Sequence, residues 1–279
     1  MKLIKSEEIL RQHLPNIIAS VKGETPLLDK LSVFLNLAED WVTRTFTSET
    51  TFNTICKYAD DNPIRQATAR LIVAEAMLRA IPSLDIVLTP NGFAVVSTSN
   101  LAPASKPRID RLMGSMLTHR DNCIAALLPA LPGASQWLKS DQADFFGATL
   151  FPTLAVVDAV AGATGSKWDK YLELRSQIID LEAKFANEFL SPELMEKLRY
   201  NHLRHTATPE QDTVIKHTQA QIIACLKGGS FSCQSLMDIV NYIRLRPSSF
   251  HEWHNSSTAQ LFAPPVFRND KKFAGYFFN

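Results

Sequence analysis

The chain has 279 residues, of which 46% are hydrophobic and 20% are charged. These fractions are those of ordinary globular proteins, so they exclude a collagen-like or largely disordered chain. Lysine and arginine total 29 against 28 for aspartate and glutamate, and the formal net charge of +1 excludes the strong overall attraction to nucleic acid expected of a dedicated nucleic-acid-binding protein.

The start of the chain and its cysteines predict a cytoplasmic protein. The sequence becomes charged within a few residues, so we expect no secretory signal. The most apolar window, 148–162, contains Pro152 and Asp158 and is too short to cross a bilayer, so we expect no membrane span. The cysteines have no CxxC spacing, which predicts reduced thiols and no zinc site. They are Cys56, Cys123, Cys225 and Cys233.

The first half of the chain is predicted to be mostly helical. Apolar residues recur at helical spacing over 6–21, and a second helix opens at Thr25–Pro26, where a capping hydroxyl precedes proline. A short helix near 48–58 is followed by the strongest helical pattern, over 64–81. A long helix is expected from about 108 to 128.

Residues 84–97 predict a single β-hairpin. Two β-branched and aromatic runs, 85–88 and 93–96, flank a segment with Asn91-Gly92, which accepts the positive φ angles of a tight turn. Because two strands alone are marginal, we expect the hairpin to pack on helices or to pair with the edge of another chain.

The second half is also mainly helical by pattern. Residues 134–165 show no clear period, whereas 166–189 has a strong helical period and further helices are expected over 209–226 and 235–246. After this point the chain is rich in proline, serine and aromatic residues without a helical period, which is typical of an extended segment.

We therefore predict a mainly α fold, consisting of helical bundles with one β-hairpin and an extended C-terminal tail. The expected organisation is a helical unit with the hairpin over 1–133, a second helical unit over 134–246 and an extended arm over 247–279. The halves are loosely similar, and both chance and a duplicated helical unit stay open as explanations. The similar residues are Ile64-Arg65, Ala69 and Leu71-Ile72 against Ile215-Lys216, Ala220 and Ile222-Ile223.

No residue pattern predicts catalysis or a cofactor. The histidine groups depart from the HExxH zinc pattern, the acidic residues are explained by turns and helix caps, and no serine lies in a G-x-S-x-G turn. We therefore expect no enzymatic activity, no metal and no cofactor. The residues considered are His202, His205, His251, His254, Asp60, Asp61, Asp141 and Asp144.

Two surfaces are candidates for binding a partner. A basic strip along the long helix is either a solvated face or a contact for an acidic partner, with nucleic acid unexpected but not excluded. The C-terminal segment either docks on its own body or reaches a neighbouring subunit. The strip contains Lys106, Arg108, Arg111 and Arg120. The candidate interface residues are Phe93 in the hairpin and Phe262, Phe267, Tyr276, Phe277 and Phe278 in the tail.

Several stretches carry a family resemblance. They are Ala69–Met77, Leu88–Ser97 and Asn100–Arg108, with further likeness at Phe151-Pro152-Thr153, at 168–182 and at the aromatic end. These stretches resemble a family of uncharacterised phage and prophage proteins from gut Bacteroidetes, which look like part of the virion structural module.

The resemblance implies a non-enzymatic head-completion or head–tail connector subunit that assembles in the bacterial host cytoplasm and ends in the virion. Its implied partners are other virion subunits and copies of itself, in an oligomer or ring, with no membrane.

Two other functions stay open. A small-molecule hydrolase would need Asp60, Asp85 or Asp144 beside a histidine in a cleft between the halves. A prophage-encoded DNA-binding module would use the basic strip and bind DNA with steep salt dependence. Flat apolar patches would instead favour assembly.

Overall fold

The computed structural model describes residues 2–14, 25–84, 86–89, 92–95, 105–160, 162 and 165–263. Within these ranges the chain forms thirteen α-helices. The helices are α1 Glu7–Gln12, α2 Leu27–Val42, α3 Glu49–Ile55, α4 Pro63–Ala80, α5 Lys106–Leu127, α6 Asp141–Gly147, α7 Ala155–Val160, α8 Lys167–Phe185, α9 Pro192–Leu203, α10 Pro209–Leu226, α11 Cys233–Arg244, α12 His251–His254 and α13 Ser257–Leu261.

The long helices α4, α8 and α10 begin at capping side chains, whereas α2 and α5 begin without a side-chain cap. The Asn62 side chain accepts from two backbone N–H groups at the start of α4, directly before Pro63. Thr208 and Gln211 form a reciprocal capping box at the start of α10. These side chains satisfy donors that have no partner inside the helix, which explains why both helices start at their prolines.

The expected fold class needs correction in two places. No β layer belongs to the described fold, because strand pairing there is limited to β1 (Ile86–Thr89) and β2 (Gly92–Val95), which pair antiparallel without a third strand. The mainly α prediction is therefore confirmed, whereas the β-hairpin predicted over 84–97 adds no β layer to this helical architecture. The extended tail is also wrong from 251 to 261, where α12 and α13 form. Burial of Trp253 and a Ser256 cap stabilise these helices, although they are too short to show a helical period.

Two five-residue π-helical turns have the same surroundings. α2 runs into the first turn, Thr43–Thr47, and α8 runs into the second, Ala186–Leu190. Each turn ends at a serine with a positive φ angle, 68° at Ser48 and 70° at Ser191. The side chain of each serine caps the helix that follows, α3 or α9.

A tryptophan that is distant in sequence donates a hydrogen bond to each π turn. The indole N–H of Trp137 donates to the carbonyl oxygen of Phe46 at 2.6 Å, and that of Trp253 donates to Phe189 at 2.8 Å. Both tryptophans are buried, so each bond satisfies a buried donor and a carbonyl near a helix end.

The residues after each tryptophan keep one spacing, W-x2-S-x2-A-x2-F, at 137–146 and again at 253–262. The serine caps α6 in the first case and α13 in the second. The final phenylalanine packs on the phenylalanine of the π turn, with ring centroids 6.0 Å apart for Phe46 and Phe146 and 6.4 Å apart for Phe189 and Phe262.

A buried glutamate in each long helix receives an incoming segment of chain. Glu39 in α2 accepts from the backbone N–H of Lys2 at 2.7 Å and of Leu3 at 3.1 Å. Glu182 in α8 accepts from the backbone N–H of Leu150 at 2.8 Å. Each segment leads into a helix of six residues, α1 or α7.

These matched contacts define a first unit, 2–147, and a second unit, 149–263. α4 and α10, which carry the loosely similar residues, follow α3 and α9 in corresponding places. The expected boundary between 133 and 134 does not coincide with this repeat, because Trp137 and α6 pack on the first π turn.

Candidate functional site

The structure places only one of the six candidate interface residues completely. Phe262 is partly buried against its own body, with its ring centroid 6.4 Å from that of Phe189 and 6.3 Å from that of Trp253. Phe93 belongs to β2, but its side chain lies outside the described residues. The remaining four, Phe267, Tyr276, Phe277 and Phe278, also lie outside them.

The candidate basic strip is not one continuous surface. Lys106, Arg108 and Arg111 are exposed near the start of α5, whereas Arg120 is buried. This part of the prediction is wrong because a helical period cannot reveal that a charged side chain has buried partners on other helices.

Arg120 lies in a buried ion network that joins the two units. Its guanidinium is 3.5 Å from Glu75 and 3.1 Å from Asp121, and it donates to the Ser166 hydroxyl at 2.6 Å. Asp121 also accepts from the backbone N–H of Lys167 at 2.6 Å. The network therefore holds α4 and α5 of the first unit against the start of α8.

The two buried glutamates and the segments they receive form two matched polar sites. We call Glu39 with its partners the first acceptor site, and Glu182 with its partners the second acceptor site. A carboxylate that accepts backbone N–H groups from an extended segment binds that segment through its main chain, whatever its side chains are.

The second acceptor site holds Leu150 and Phe151 on several sides. The Leu150 carbonyl accepts from the Gln219 amide at 2.6 Å, and the Tyr171 hydroxyl donates to the Phe151 carbonyl at 3.0 Å. Burial raises the pKa of the Glu182 carboxyl, while the guanidinium of Arg199, 2.7 Å away, opposes that rise. Burial also raises the pKa of Tyr171 to about 12, so its hydroxyl stays a donor at neutral pH.

An open polar groove of about 620 Å³ lies beside the first acceptor site. It is lined by both ends of the first unit and by the first π turn. The lining residues are Lys2, Glu39, Asp40, Thr43, Arg44, Ser48, Glu49, Thr50, Phe52, Gln136, Lys139, Ser140, Asp141 and Gln142.

A second groove, of about 430 Å³, is largely apolar and shares Arg44, Asp141 and Gln142 with the first. Trp41, Trp168 and two exposed side chains, Phe145 and Leu172, complete most of its wall. We call it the apolar groove. It lies between α2, α6 and α8, so residues of both units form it.

The described residues give little support to the hydrolase alternative. Asp60 and His13 line one groove of about 310 Å³, but the Asp60 carboxylate is 88% exposed and is paired with Arg65 at 2.6 Å. His13 is buried, which lowers its pKa and favours the neutral ring. Asp144 is exposed on α6, and Asp85 lies outside the described residues.

No metal-binding group of three or more His, Cys, Asp or Glu side chains occurs among the described residues. All four cysteines are free thiols, and burial raises the pKa of the Cys123 thiol to about 11. Within the described ranges, no helix combines the length and the apolar character needed to cross a bilayer.

Residues 16–147 match a protein family of unknown function, DUF6712. The match spans less than half of the chain and ends at Gly147, the last residue of the first unit. No curated protein and no solved structure matches the chain. The description of the family names no activity.

Neither the acceptor sites nor the apolar groove is predicted by the sequence patterns. The spacing W-x2-S-x2-A-x2-F was the available signal, since it places both tryptophans and both phenylalanines in register. The spacing alone does not reveal that these tryptophans and phenylalanines contact the π turns, which lie far away in sequence.

Proposed function

We propose that this protein is a non-enzymatic structural subunit of a phage or prophage particle, of the head-completion or head–tail connector type. In this proposal it folds in the bacterial host cytoplasm, binds other virion subunits and copies of itself, and becomes part of the virion. The sequence resemblance supports the phage setting, and the apolar groove supports a role in binding protein.

The observation that carries the proposal is the exposed apolar character of this groove. Phe145 is 36% exposed and Leu172 is 42% exposed, although both are large hydrophobic side chains. Exposed apolar surface around a concave wall marks sites where another protein inserts a side chain. The Arg175 guanidinium lies 3.7 Å from the centroid of the Phe145 ring and donates to the Phe145 carbonyl, which holds this wall in place.

The same groove is poorly suited to hydrolysis. Its charged groups include Arg44 and Asp141, but no histidine of the described ranges lines it. General acid–base catalysis needs a proton donor and acceptor that converge on one substrate atom. The groove instead offers aromatic walls with a polar rim, which is the usual anatomy of a protein-binding surface.

The test is co-expression of the full chain with the proteins encoded on either side of its gene, which the proposal expects to include head and tail proteins. We expect the native chain to co-purify with them and to enter particles. Leu172→Asp places a charge in the groove and should weaken co-purification by at least about tenfold, as expected for loss of an interface anchor.

Met237→Asp is the matched control, because Met237 is 44% exposed but lies on α11, away from the groove. It should behave like the native chain. A chain that stays monomeric at all concentrations and binds none of these particle proteins would overturn the proposal.

A further inference from the structure

Helix α2 carries two stripes of side chains on opposite faces. One stripe is buried where α2 packs on α4, and it consists of Leu31, Leu35, Ala38 and Val42. The other stripe is exposed, and it consists of Lys30, Val33, Leu37 and Asp40. At 3.6 residues per turn these four side chains share the face of the helix that points away from α4, and we call them the outer stripe. Val33 is 64% exposed and Leu37 is 45% exposed, although both are large hydrophobic side chains.

The shared architecture of the two units does not require apolar residues in the outer stripe. When Glu39 is aligned with Glu182, Ser176 takes the place of Val33 and Asp180 takes the place of Leu37. Both of these polar residues are exposed on α8, the helix of the second unit that corresponds to α2. Exposed hydrophobic side chains that lie together and are not needed for the fold mark a surface that another protein covers.

The outer stripe has the spacing of a helix–helix seam. Its four residues follow one another at intervals of three, four and three residues, which is the spacing of the a and d positions of a coiled coil. Side chains at these positions form a nearly straight row along a helix, and a second helix can lie along such a row over its whole length. The partner that fits the outer stripe is therefore a helix with an apolar row of its own.

The charges at the two ends of the outer stripe are complementary to those of a second copy. If two α2 helices lie antiparallel about a two-fold axis level with Leu35, Lys30 of each copy faces Asp40 of the other, and Val33 faces Leu37. A parallel pair in register would instead bring Lys30 to Lys30 and Asp40 to Asp40. An ammonium group has three N–H donors, so Lys30 can bind this carboxylate beside any contact in its own chain. Charge complementarity thus selects the antiparallel pair.

We propose that the protein forms a two-fold symmetric dimer in which the outer stripes of two α2 helices pack antiparallel. Val33 and Leu37 supply the apolar contact, and the two Lys30–Asp40 pairs fix the direction and register of the helices. The same surface is used by both copies, so the contact closes at two chains.

This dimer deepens the proposed function, on which it rests, because it assigns the contact between copies to one helix face. None of the four residues of the outer stripe lines the apolar groove, to which the proposed function assigns the binding of another protein. Substitutions in the outer stripe and in the apolar groove therefore separate contact between copies from binding of other proteins.

Charge reversal in the full chain tests the dimer by sedimentation velocity. Lys30→Glu and Asp40→Lys each bring like charges together at both ends of the seam, so each variant alone should self-associate at least about tenfold more weakly than the native chain. An equal mixture of the two variants should dimerise like the native chain, because every new charge then faces an opposite charge. The double variant Lys30→Glu/Asp40→Lys should also dimerise by itself. Glu196→Lys, at an exposed position on α9, is the matched control and should dimerise normally.

The apolar contact is tested by giving α2 the residues of the second unit. Val33→Ser/Leu37→Asp should weaken self-association at least about tenfold, as for loss of interface anchors, and leave the circular dichroism spectrum unchanged because both positions are exposed.

Three results would overturn the dimer: a native chain that stays monomeric, single charge reversals that dimerise normally, or a mixture of them that does not recover. If the native chain still co-purifies with the proteins encoded beside its gene and Leu172→Asp weakens that binding, only the dimer is wrong and the proposed function stands.

Discussion

At the level of single residues, Trp137 and Trp253 make equivalent hydrogen bonds in the two units. Each occupies a buried position and donates its indole N–H to the carbonyl of a π-turn phenylalanine. Carbonyls near the end of a helix have no partner within that helix, and a buried one costs free energy unless another group donates to it. The two tryptophans, from a distant part of the chain, supply the hydrogen-bond donors for these carbonyls.

We expect Trp137→Phe and Trp253→Phe each to lower the free energy of unfolding by about 1–3 kcal/mol, because a buried carbonyl loses its donor. Urea denaturation followed by circular dichroism measures the change. Tyr200→Phe, at an exposed aromatic position, is the control and should stay within about 0.5 kcal/mol of the native chain. Native stability in both tryptophan variants would contradict the role assigned to these bonds.

At the level of elements, each π turn passes into the next helix through a serine in a backbone region that favours glycine. Ser48 has φ 68° and ψ 160°, and Ser191 has φ 70° and ψ 147°. The serine side chain compensates by capping α3 or α9. Since the same conformation occurs in both units, it belongs to the shared architecture rather than to one binding site.

Two substitutions at Ser48 separate backbone strain from capping. Ser48→Gly should relieve backbone strain of about 1–3 kcal/mol. Replacing the serine cap by glycine should cost only about a few tenths of a kcal/mol in capping free energy. Ser48→Ala keeps the strain and loses a cap worth about 1 kcal/mol. We therefore expect the glycine variant to have the higher free energy of unfolding, by more than about 1 kcal/mol, in chemical denaturation. An alanine variant as stable as the glycine variant would show that Ser48 is unstrained.

At the level of the whole molecule, the two units are joined by polar and apolar contacts together. The Arg120 network connects α4 and α5 to the first residues of α8. Beside it, aromatic rings from both units pack in one cluster, with the centroids of Phe46 and Trp168 only 4.9 Å apart. At this junction the two units therefore share one packed interface.

Arg120→Ala should lower the free energy of unfolding by about 3–5 kcal/mol, because Asp121 stays buried without its cation and Glu75 keeps only Arg79. Arg111→Ala on the same helix is the matched control, since Arg111 is exposed, and should change stability by less than about 0.5 kcal/mol. Thermal and chemical denaturation of both variants provide the comparison. Equal stability of the two would mean that the network adds nothing to the junction.

The amino-acid sequence by itself determined the long helices. The pattern over 64–81 predicts a helix that the structure places at Pro63–Ala80, and the pattern from 108 to 128 predicts α5, Lys106–Leu127. Both predictions succeed because amphipathic spacing, joined by an Asn62 cap in α4, is a local property that acts within a few turns of chain.

Only the tertiary structure decided the short helices, the burial of Arg120 and the pairing of two units. α12 and α13 are too short to be stable alone, and they form because Trp253 is buried and hydrogen-bonded to the second π turn. The repeated tryptophan spacing is visible in the sequence, but its partners at Phe46 and Phe189 lie 91 and 64 residues away. Contacts of that separation depend on how the whole chain packs, which local patterns cannot encode.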